Sequence, residues 1–270
     1  GGKGANQAVA AARAGARVAM VGAVGDDAFA DAARQTLADA GVDVDGLITS
    51  PGATGTAVVA VDGRGENQII VAGGANGRVS LAQVAAFDFG AVTTLLLQME
   101  IPRPTIEAAI DRAAAAGARV VLNLAPAAPL DPARLNRVNV LVANRGEADS
   151  LAPGAGNALE QARLLATRHG LLAVVTLGAD GAVAADDAGR AWRVAAPPVT
   201  AVDTVGAGDA FTGALAAAFD AGRPIDRALA EASVAGARAC TRRGPQTAPT
   251  ADEIAAVLAG LDAGGLVQLV

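Results

Sequence analysis

The segment from Asp203 to Phe211 combines a glycine-rich turn with a carboxylate and leads into an alanine-rich stretch that favours a helix. Gly206, Ala207 and Gly208 carry almost no side chain, so a ligand can approach the backbone there. The N–H groups of a helix's first turn lack internal partners and attract anions. Asp209 lies in that turn, where its carboxylate can contact an attacking hydroxyl group or simply cap the helix. Taken alone, the segment is explained better by helix capping, and phosphoryl transfer is the functional alternative that the placement of Asp209 suggests.

A second glycine-rich segment, Gly2 to Asn6, precedes a run of helix formers from Gln7 to Ala14. It lacks the Ser or Thr that a Walker loop needs after its lysine, and its glycines do not have the spacing of a dinucleotide fingerprint. Lys3 and Asn6 can donate hydrogen bonds to hydroxyl or anionic groups. A capped helix with a solvated lysine explains the segment equally well. The sequence thus predicts either a second ligand-binding loop or a plain helix start.

Polar residues follow the predicted strands at their carboxyl ends, where ligands collect in open parallel sheets. Each of them, taken alone, is explained better as a loop residue or a helix cap. Their joint placement on one rim of the sheet favours a binding site. These residues are Gln98 and Glu100, Asn144 and Glu147, Thr176 and Gly178, and the segment Asp203–Asp209.

Short apolar runs alternate with helical patterns along most of the chain, which is typical of an α/β fold with a buried parallel sheet. Residues 54–61 and 67–72 interrupt the alternation and predict a β-hairpin around a turn at Asp62–Gly65. We expect one domain, residues 1–270, with this hairpin at about 54–73 inserted as a lid. Strands are predicted at 17–22, 42–49, 92–98, 119–124, 138–143, 171–177, 183–185 and 191–194, helices at 7–14, 27–40, 80–87, 105–116 and 158–168, and mostly helix from 208 onward.

The composition argues against several classes of protein. With 52% apolar residues among 270, the chain can build a full core. Its apolar runs are shorter than the roughly 18 residues of a membrane span. A net charge of −6, no basic tract and 2% aromatic residues argue against a nucleic-acid partner. Cys240 has no second cysteine to pair with, so a cytoplasmic protein is expected. His169 and Trp192 are expected to have structural roles.

Several segments resemble, in order, the motifs of the ribokinase family of sugar kinases, also called the PfkB carbohydrate kinases. The resemblance covers essentially the whole chain. It implies a ribokinase-like three-layer α/β/α fold with a mostly parallel central sheet, a small β lid and the first strand or strands missing. It also implies ATP-dependent phosphorylation of a primary sugar hydroxyl, with D-ribose to D-ribose 5-phosphate as the first expectation. The segments are Gly1–Ala8, Gln98–Glu100, Asn144–Glu147, Thr176–Gly181 and Asp203–Phe211.

The same resemblance implies roles for individual residues. Asp209 would be the catalytic base, and the backbone of Gly206, Ala207 and Gly208 would form an anion hole. The sugar would contact Gly2, Lys3, Gly4, Ala5, Asn6 and Glu100, together with Asp209. ATP would be bound by Asn144, Glu147, Thr176, Gly178, Ala179, Asp180, Gly181, Gly208 and Ser233, with Glu147 in the Mg²⁺ region. K⁺ would be held near the anion hole by Asp203, Val205, Ala239, Arg242 and Gly244, several of them through backbone carbonyls.

Departures from the family pattern affect these expectations. Ala248 stands where a Ser usually ligates K⁺, and Ser233 stands where an Asn or His often covers the adenine. Family members begin further upstream, with a strand, a sugar-binding Asp and part of the lid, so we expect weak or no sugar kinase activity from this chain by itself. Because lid sheets often pair between subunits in this family, a homodimer is expected.

Two kinds of alternative stay open. Another kinase of the same family, such as a fructokinase, a deoxyribokinase or a nucleoside kinase, shares these motifs. A catalytically silent protein that binds a sugar or a nucleotide is the alternative outside the enzymes, and an intact Asp209 argues against it.

Overall fold

The computed structural model describes residues 2–61, 67–261 and 265–270, and the predicted turn at Asp62–Gly65 lies outside them. The helices are α1 (Lys3–Arg13), α2 (Ala28–Asp39), α3 (Leu81–Ala86), α4 (Arg103–Ala115), α5 (Pro132–Leu135), α6 (Arg145–Leu151), α7 (Ala158–His169), α8 (Ala207–Asp220), α9 (Ile225–Ala239) and α10 (Ala251–Gly260). The strands are β1 (Gly22–Val24), β2 (Leu47–Thr49), β3 (Thr56–Val61), β4 (Asn67–Ala72), β5 (Thr94–Leu97), β6 (Arg119–Asn123), β7 (Val140–Asn144), β8 (Leu172–Thr176), β9 (Ala182–Ala185), β10 (Ala191–Val194) and β11 (Val267–Leu269).

A seven-stranded sheet in the order β11-β10-β9-β8-β7-β6-β5 forms the centre of the fold. The pairings from β5 to β8 are parallel, and those from β8 to β11 are antiparallel. The sheet is therefore mixed, whereas the resemblance implied a mostly parallel one. The reason is connection length, since helices join the parallel strands and short turns join β8, β9 and β10, and a short turn can only join antiparallel neighbours.

Helices cover the central sheet on both faces. On one face, Val120 and Leu122 of β6 pack in a core with Ile106 and Ile110 of α4, together with residues of α7. On the other face, the intervening Val121 packs in a core with residues of α8 and α9. Strand side chains alternate between the faces, so apolar residues at successive positions bury both. The predicted three-layer α/β/α fold is confirmed.

Two small sheets lie apart from the central one. β1 and β2 are parallel. β1 shares only Gly22 with the strand predicted at 17–22, and β2 is the last part of the strand predicted at 42–49. Between the earlier parts of the two predicted strands there is a single bridge, from Ala19 to Asp43. β3 and β4 form the predicted antiparallel hairpin. Val58 and Ile70 are opposite each other on it, and each is 62% exposed. The hairpin therefore presents apolar side chains to solvent.

The two helices next to the candidate site, α1 and α8, run in the same direction. Residues at the start of α1 contact Asp209 at the start of α8, and residues one turn further along α1 lie against Gly213. A Cβ atom on Gly213 would lie 2.5 Å from the carbonyl oxygen of Gln7, so only glycine permits this separation. Both helix N-termini therefore lie at the same end of the fold.

The structure corrects the sequence reading in two places near the chain ends. Helix α1 begins at Lys3 instead of Gln7, so the glycine-rich segment is the first helical turn and not a loop. Helices fill most of the chain after Gly208, but the strand β11 pairs with β10 near the end. A strand of three residues is shorter than the runs by which a strand is recognised in a sequence. Among the described residues, no helix has both the length and the apolar character to cross a membrane.

Candidate active site

The site lies at the carboxyl ends of the parallel strands β5 to β8. Side chains at these ends or just beyond them belong to Gln98, Asn123, Asn144 and Thr176. The N-termini of α1 and α8 face the same rim, since Asn6 and Gln7 contact Asp209. Two helix N-termini and a row of polar side chains thus surround one space, which suits an anionic ligand.

Two side chains of α1 hold the carboxylate of Asp209 by hydrogen bonds. Asn6 Nδ2 donates to one carboxylate oxygen, Oδ2, at 2.8 Å, and Gln7 Nε2 donates to the other, Oδ1, at 2.8 Å. Asp209 is 8% exposed and does not cap α8, because no backbone N–H of its own helix donates to it among the described residues. The capping alternative is therefore not what the structure shows. A carboxylate oxygen accepts more than one hydrogen bond, so both oxygens of Asp209 can still meet a ligand proton.

Asn6 has one polar atom left over. Its Oδ1 is buried, and no described residue donates a hydrogen bond to it. A buried acceptor without a partner is costly unless a ligand or water supplies the donor. A hydroxyl group bound beside Asp209 would satisfy it.

Glu100 closes the N-terminus of α1. Its Oε2 accepts a hydrogen bond of 2.8 Å from the backbone N–H of Lys3. Gly2 and Gly4 lie close to the side chains of Glu100 and Gln98. A Cβ on Gly2 would be 3.5 Å from Glu100 Oε2, and one on Gly4 would be 3.1 Å from Gln98 Oε1. The structure thus brings the predicted sugar-contact residues of α1 together with Glu100 and Asp209.

The turn before α8 depends on Gly206. This residue has a φ of 81°, and a Cβ on it would lie 2.3 Å from the carbonyl oxygen of Pro245. The amide of Ala207 donates to the carbonyl of Thr204 at 3.2 Å, whereas the amides of Gly206 and Gly208 have no acceptor among the described residues. Of the backbone donors in the predicted anion hole, those two are open to a ligand.

A cavity of about 330 Å³ is lined by four of the nine predicted nucleotide residues, Asn144, Thr176, Gly178 and Asp180. Asn144 and Glu147 border it as a capping box: the Glu147 N–H donates to Asn144 Oδ1, and the Asn144 N–H donates to Glu147 Oε2, both at 2.8 Å. Burial raises the pKa of the Glu147 carboxyl, the Asn144 amide and the Lys3 charge oppose this rise, and the Asp209 charge adds to it. Glu147 therefore lies near enough to Lys3 and Asp209 to feel both charges. The lining residues are Asn144, Arg145, Gly146, Thr176, Leu177, Gly178 and Asp180.

A second cavity, of about 220 Å³, adjoins the first and shares Leu177 and Asp180 with it. Gly181 is required at its border, since it has a φ of 83° and a Cβ there would lie 1.9 Å from the carbonyl oxygen of Val194. Ser233 does not open into this cavity. It is buried, and its hydroxyl donates at 2.7 Å to the carbonyl of Ala195, which lines the cavity. Ser233 therefore stands behind the cavity wall.

The residues expected to hold K⁺ lie around the loop that covers Gly206. The Asp203 carboxylate accepts hydrogen bonds from the amides of Val205 (3.0 Å) and Gly244 (2.9 Å), and these bonds lower its pKa. The hydroxyl of Thr247 lies 3.0 Å from the carbonyl oxygen of Ala239 and 3.1 Å from that of Gly244. The side chain of Arg242 forms an ion pair with Glu253 and points its charge away from this cluster.

These oxygens fit a monovalent cation. A hydroxyl has one proton, so Thr247 can donate to only one of the two carbonyls at a time. Backbone carbonyl oxygens are the ligands that bind K⁺ in proteins. Ala248 offers no side-chain oxygen. The hydroxyl of the neighbouring Thr247 lies within hydrogen-bond distance of the carbonyl oxygens of Ala239 and Gly244. Thr247 was not singled out from the sequence, because Ser and Thr in a loop are common.

The sequence analysis also missed two buried amides. Gln7 Nε2 donates to Asn123 Oδ1 at 2.9 Å as well as to Asp209, and Gln98 Nε2 donates to Gln7 Oε1 at 2.7 Å. Asn123 ends β6 and belongs to the same rim as the residues that were named. Its position after a buried strand was the available signal. Gln7 gave no such signal, since a glutamine is an ordinary helix residue.

The comparisons with known proteins agree on one family. The model of the pfkB family carbohydrate kinases matches residues 1–252. This chain belongs to the pfkB family of carbohydrate kinases. A ribokinase from Schizosaccharomyces pombe is 37% identical to it over 258 residues, covering 90% of this chain and 81% of the relative.

Two further relatives add detail. A deoxyribokinase from Salmonella typhi is 33% identical over 257 residues, covering 92% of this chain and 83% of the relative. The structure of Arabidopsis thaliana ribokinase complexed with ribose and ATP superposes with a TM-score of 0.86 at 28% identity, covering 96% of this chain and 87% of that one. The chain described here is thus a carbohydrate kinase of the ribokinase type, which is a phosphotransferase.

Proposed function

We propose that this pfkB kinase transfers the γ-phosphoryl group of ATP to the primary hydroxyl of D-ribose and forms D-ribose 5-phosphate. The observation that carries the proposal is the position of Asp209, held by Asn6 and Gln7 between the parallel N-termini of α1 and α8. The chain would do this as one domain over residues 1–270, with the β3–β4 hairpin as a lid. The ribose bound in the Arabidopsis ribokinase supports the choice of sugar.

The chemistry requires position more than strong basicity. The hydroxyl oxygen of the sugar attacks the γ-phosphorus, the bond from that phosphorus to the β–γ bridging oxygen breaks, and ADP leaves with the electron pair. The hydroxyl proton passes to a carboxylate oxygen of Asp209 late in the transfer. The amides of Gly206 and Gly208 would face the negative charge on the transferred group, without having to reorganise. Asn6 Oδ1 and Glu100 would accept hydrogen bonds from sugar hydroxyls.

The two adjoining cavities suit the nucleotide. The larger one, with Asn144, Gly178 and the start of α6, would take the phosphates, and the smaller one would take the adenosine. Ala179, Asp180 and Gly181 would line the passage between them. Mg²⁺, near Glu147, would neutralise phosphate charge and is usually held by phosphates, water and one or two carboxylates. K⁺ would be held by the carbonyls of Ala239 and Gly244 with the Thr247 hydroxyl.

Deoxyribose is the second candidate substrate, because the Salmonella deoxyribokinase is nearly as similar as the ribokinases. The two sugars differ by one hydroxyl group. A site that hydrogen-bonds this hydroxyl would reject deoxyribose strongly, because its buried polar groups would lose their partner. A homodimer through the β3–β4 hairpin is proposed on the exposed apolar side chains of that hairpin.

The proposal is tested by ADP release with ATP and Mg²⁺, on this chain and on one extended upstream of Gly1. Ribose, 2-deoxyribose, fructose and adenosine are compared in Na⁺ and in K⁺ buffer. We expect turnover to be fastest with ribose and to increase in K⁺. Faster turnover with deoxyribose would favour the second candidate, and an absence of ADP release with every sugar from both chains would refute the proposal.

Replacement of Asp209 tests the assigned base. Asp209→Asn keeps the shape of the side chain but cannot take the proton, so we expect turnover to fall by about 10²- to 10⁴-fold while nucleotide binding stays nearly unchanged. Asp186→Asn is the matched control, because Asp186 is similarly buried, pairs with Arg190 at the turn between β9 and β10, and lines neither cavity. Turnover that survives in Asp209→Asn would mean that another group is the base.

A further inference from the structure

Gln7 is completely buried, and it uses all of its hydrogen-bonding groups. Its exposed fraction is 0%. The two hydrogens of Nε2 go to Asp209 Oδ1 at 2.8 Å and to Asn123 Oδ1 at 2.9 Å, and Oε1 accepts from Gln98 Nε2 at 2.7 Å. An apolar residue of the same size would fill this place in α1 without any need for partners. The amide must therefore serve the groups around it.

The side-chain amides of Gln7 and Asn123 can be oriented in only one way. A carboxylate only accepts hydrogen bonds, so Nε2 of Gln7 has to face Asp209. At the other end, Asn123 Nδ2 donates to the carbonyl oxygen of Val142 at 3.1 Å, which turns Asn123 Oδ1 toward Gln7. The Val142 carbonyl also accepts from Leu124 in the sheet ladder, so it is fixed by the central sheet. The orientation of Gln7 is thus set by β6 and β7.

We infer that Gln7 is a positioning residue, which ties the Asp209 carboxylate to the central sheet and holds it in the orientation needed to receive the sugar proton. This inference rests on the proposed role of Asp209. Because Gln7 is completely buried, it would contact neither the sugar nor the phosphates and would act on the reaction through Asp209. Asn6 bonds the other oxygen of the same carboxylate, so the two neighbouring amides of α1 fix both oxygens.

A second buried glutamine, Gln161, lies outside the site and has fewer hydrogen bonds than Gln7. Gln161 of α7 is 3% exposed and donates to Asp149 at 3.3 Å. Its Oε1 is buried without a partner among the described residues. Gln161 therefore has a longer bond to its carboxylate and an incomplete set of partners, whereas Gln7 is satisfied on every side. This residue provides a matched control for the same substitution.

The test compares Gln7→Met with Gln161→Met in the more active of the two chains described above. Methionine keeps the length of the side chain and removes the amide. We expect Gln7→Met to lower kcat on the order of 10- to 100-fold, because a small displacement of a catalytic group has that effect. KM for ribose and the Kd for ATP should change little. Gln7→Met leaves more buried partners unpaired and should lower Tm more than Gln161→Met, so kcat is compared at a temperature at which both variants are fully folded. A kcat for Gln7→Met equal to that of Gln161→Met would overturn the inference.

A second readout does not depend on turnover. Aspartate Cγ atoms are labelled with ¹³C, and the Asp209 resonance is identified as the one absent from the Asp209→Asn spectrum. We expect this resonance to move in Gln7→Met and to stay in place in Gln161→Met. If the enzyme is inactive on every sugar but the resonance moves, the proposed function fails and the positioning by Gln7 stands. If the resonance does not move, Gln7 does not hold Asp209.

Discussion

At the scale of single residues, two equally buried polar groups, Asp209 and His169, have different surroundings. Asp209 is buried but receives donors on both oxygens. His169 is equally buried at 8% exposure, at the end of α7, with Nδ1 2.8 Å from Asn136 Oδ1. A helix C-terminus favours a charged histidine, yet burial, followed by the charge of Arg168, lowers the pKa of His169 below its usual value of 6.5. Desolvation is therefore the main cause of the lowered pKa of His169.

This shift makes stability depend on pH. Because the pKa of His169 is lower in the folded protein, the unfolded chain takes up a proton first as the pH falls below about 6.5, and stability falls with it. His169→Gln removes the titrating group. We expect the decrease in Tm between about pH 7.5 and 5.5 to be smaller in the variant than in the parent protein. Since His169 is the single histidine, parallel Tm curves for the two proteins would contradict this account.

At the scale of elements, the close packing of α1 on α8 gives the site its geometry. A Cβ on Gly213 would lie 2.5 Å from the carbonyl oxygen of Gln7 and 2.6 Å from the Cβ of Ala10. Backbone atoms cannot move aside as the end of a flexible side chain can. Any larger residue at this position must therefore separate the two helices, and Gln7 would move away from Asp209.

Gly213→Ala is the corresponding test. We expect it to lower the free energy of unfolding by about 1 to 3 kcal/mol, since added atoms in a packed core force the backbone to shift. Gly260→Ala is the control, because Gly260 lies in α10 and no other part of the described chain comes within 4 Å of the place of its missing Cβ. Alanine there should be neutral or stabilising by up to about 1 kcal/mol. Urea titrations of both variants measure the difference. Equal stability would mean that α1 and α8 separate without cost.

Elements and rim residues were predictable where local patterns decide them. Apolar strands, the start of α8 at its glycine turn and the polar residues after β5, β7 and β8 followed from periodicity and from the rule for parallel sheets. The hydrogen bonds of Gln7 were not predictable, because they join residues up to 202 positions apart in the sequence. The hydrogen bond from the Ser233 hydroxyl to the carbonyl of Ala195 could not be predicted either, since it depends on the packing of α9 against the end of β10.

At the scale of the whole molecule, the candidate site lies at one rim of the central sheet, and the β3–β4 hairpin lies apart from that sheet. Val58 and Ile70 lie opposite each other on one face of the hairpin, and Val71, 61% exposed, lies on the other face. A two-stranded hairpin is marginally stable by itself in water. One apolar face can cover a bound sugar, which leaves the other for a second copy of the chain.

The proposed dimer is tested by charging the face with Val58 and Ile70. In Val58→Lys/Ile70→Glu the opposite charges face each other across the strands and support the hairpin, but they remove the apolar contact. We expect light scattering to give a dimer for the parent protein and a monomer for this variant. Phe29→Lys/Leu81→Glu is the control, because it charges two exposed apolar residues outside the hairpin. It should leave the mass unchanged. A dimer that persists in the hairpin variant would exclude this face as the interface, because burying these charged side chains carries a desolvation cost that the lost apolar contact did not have.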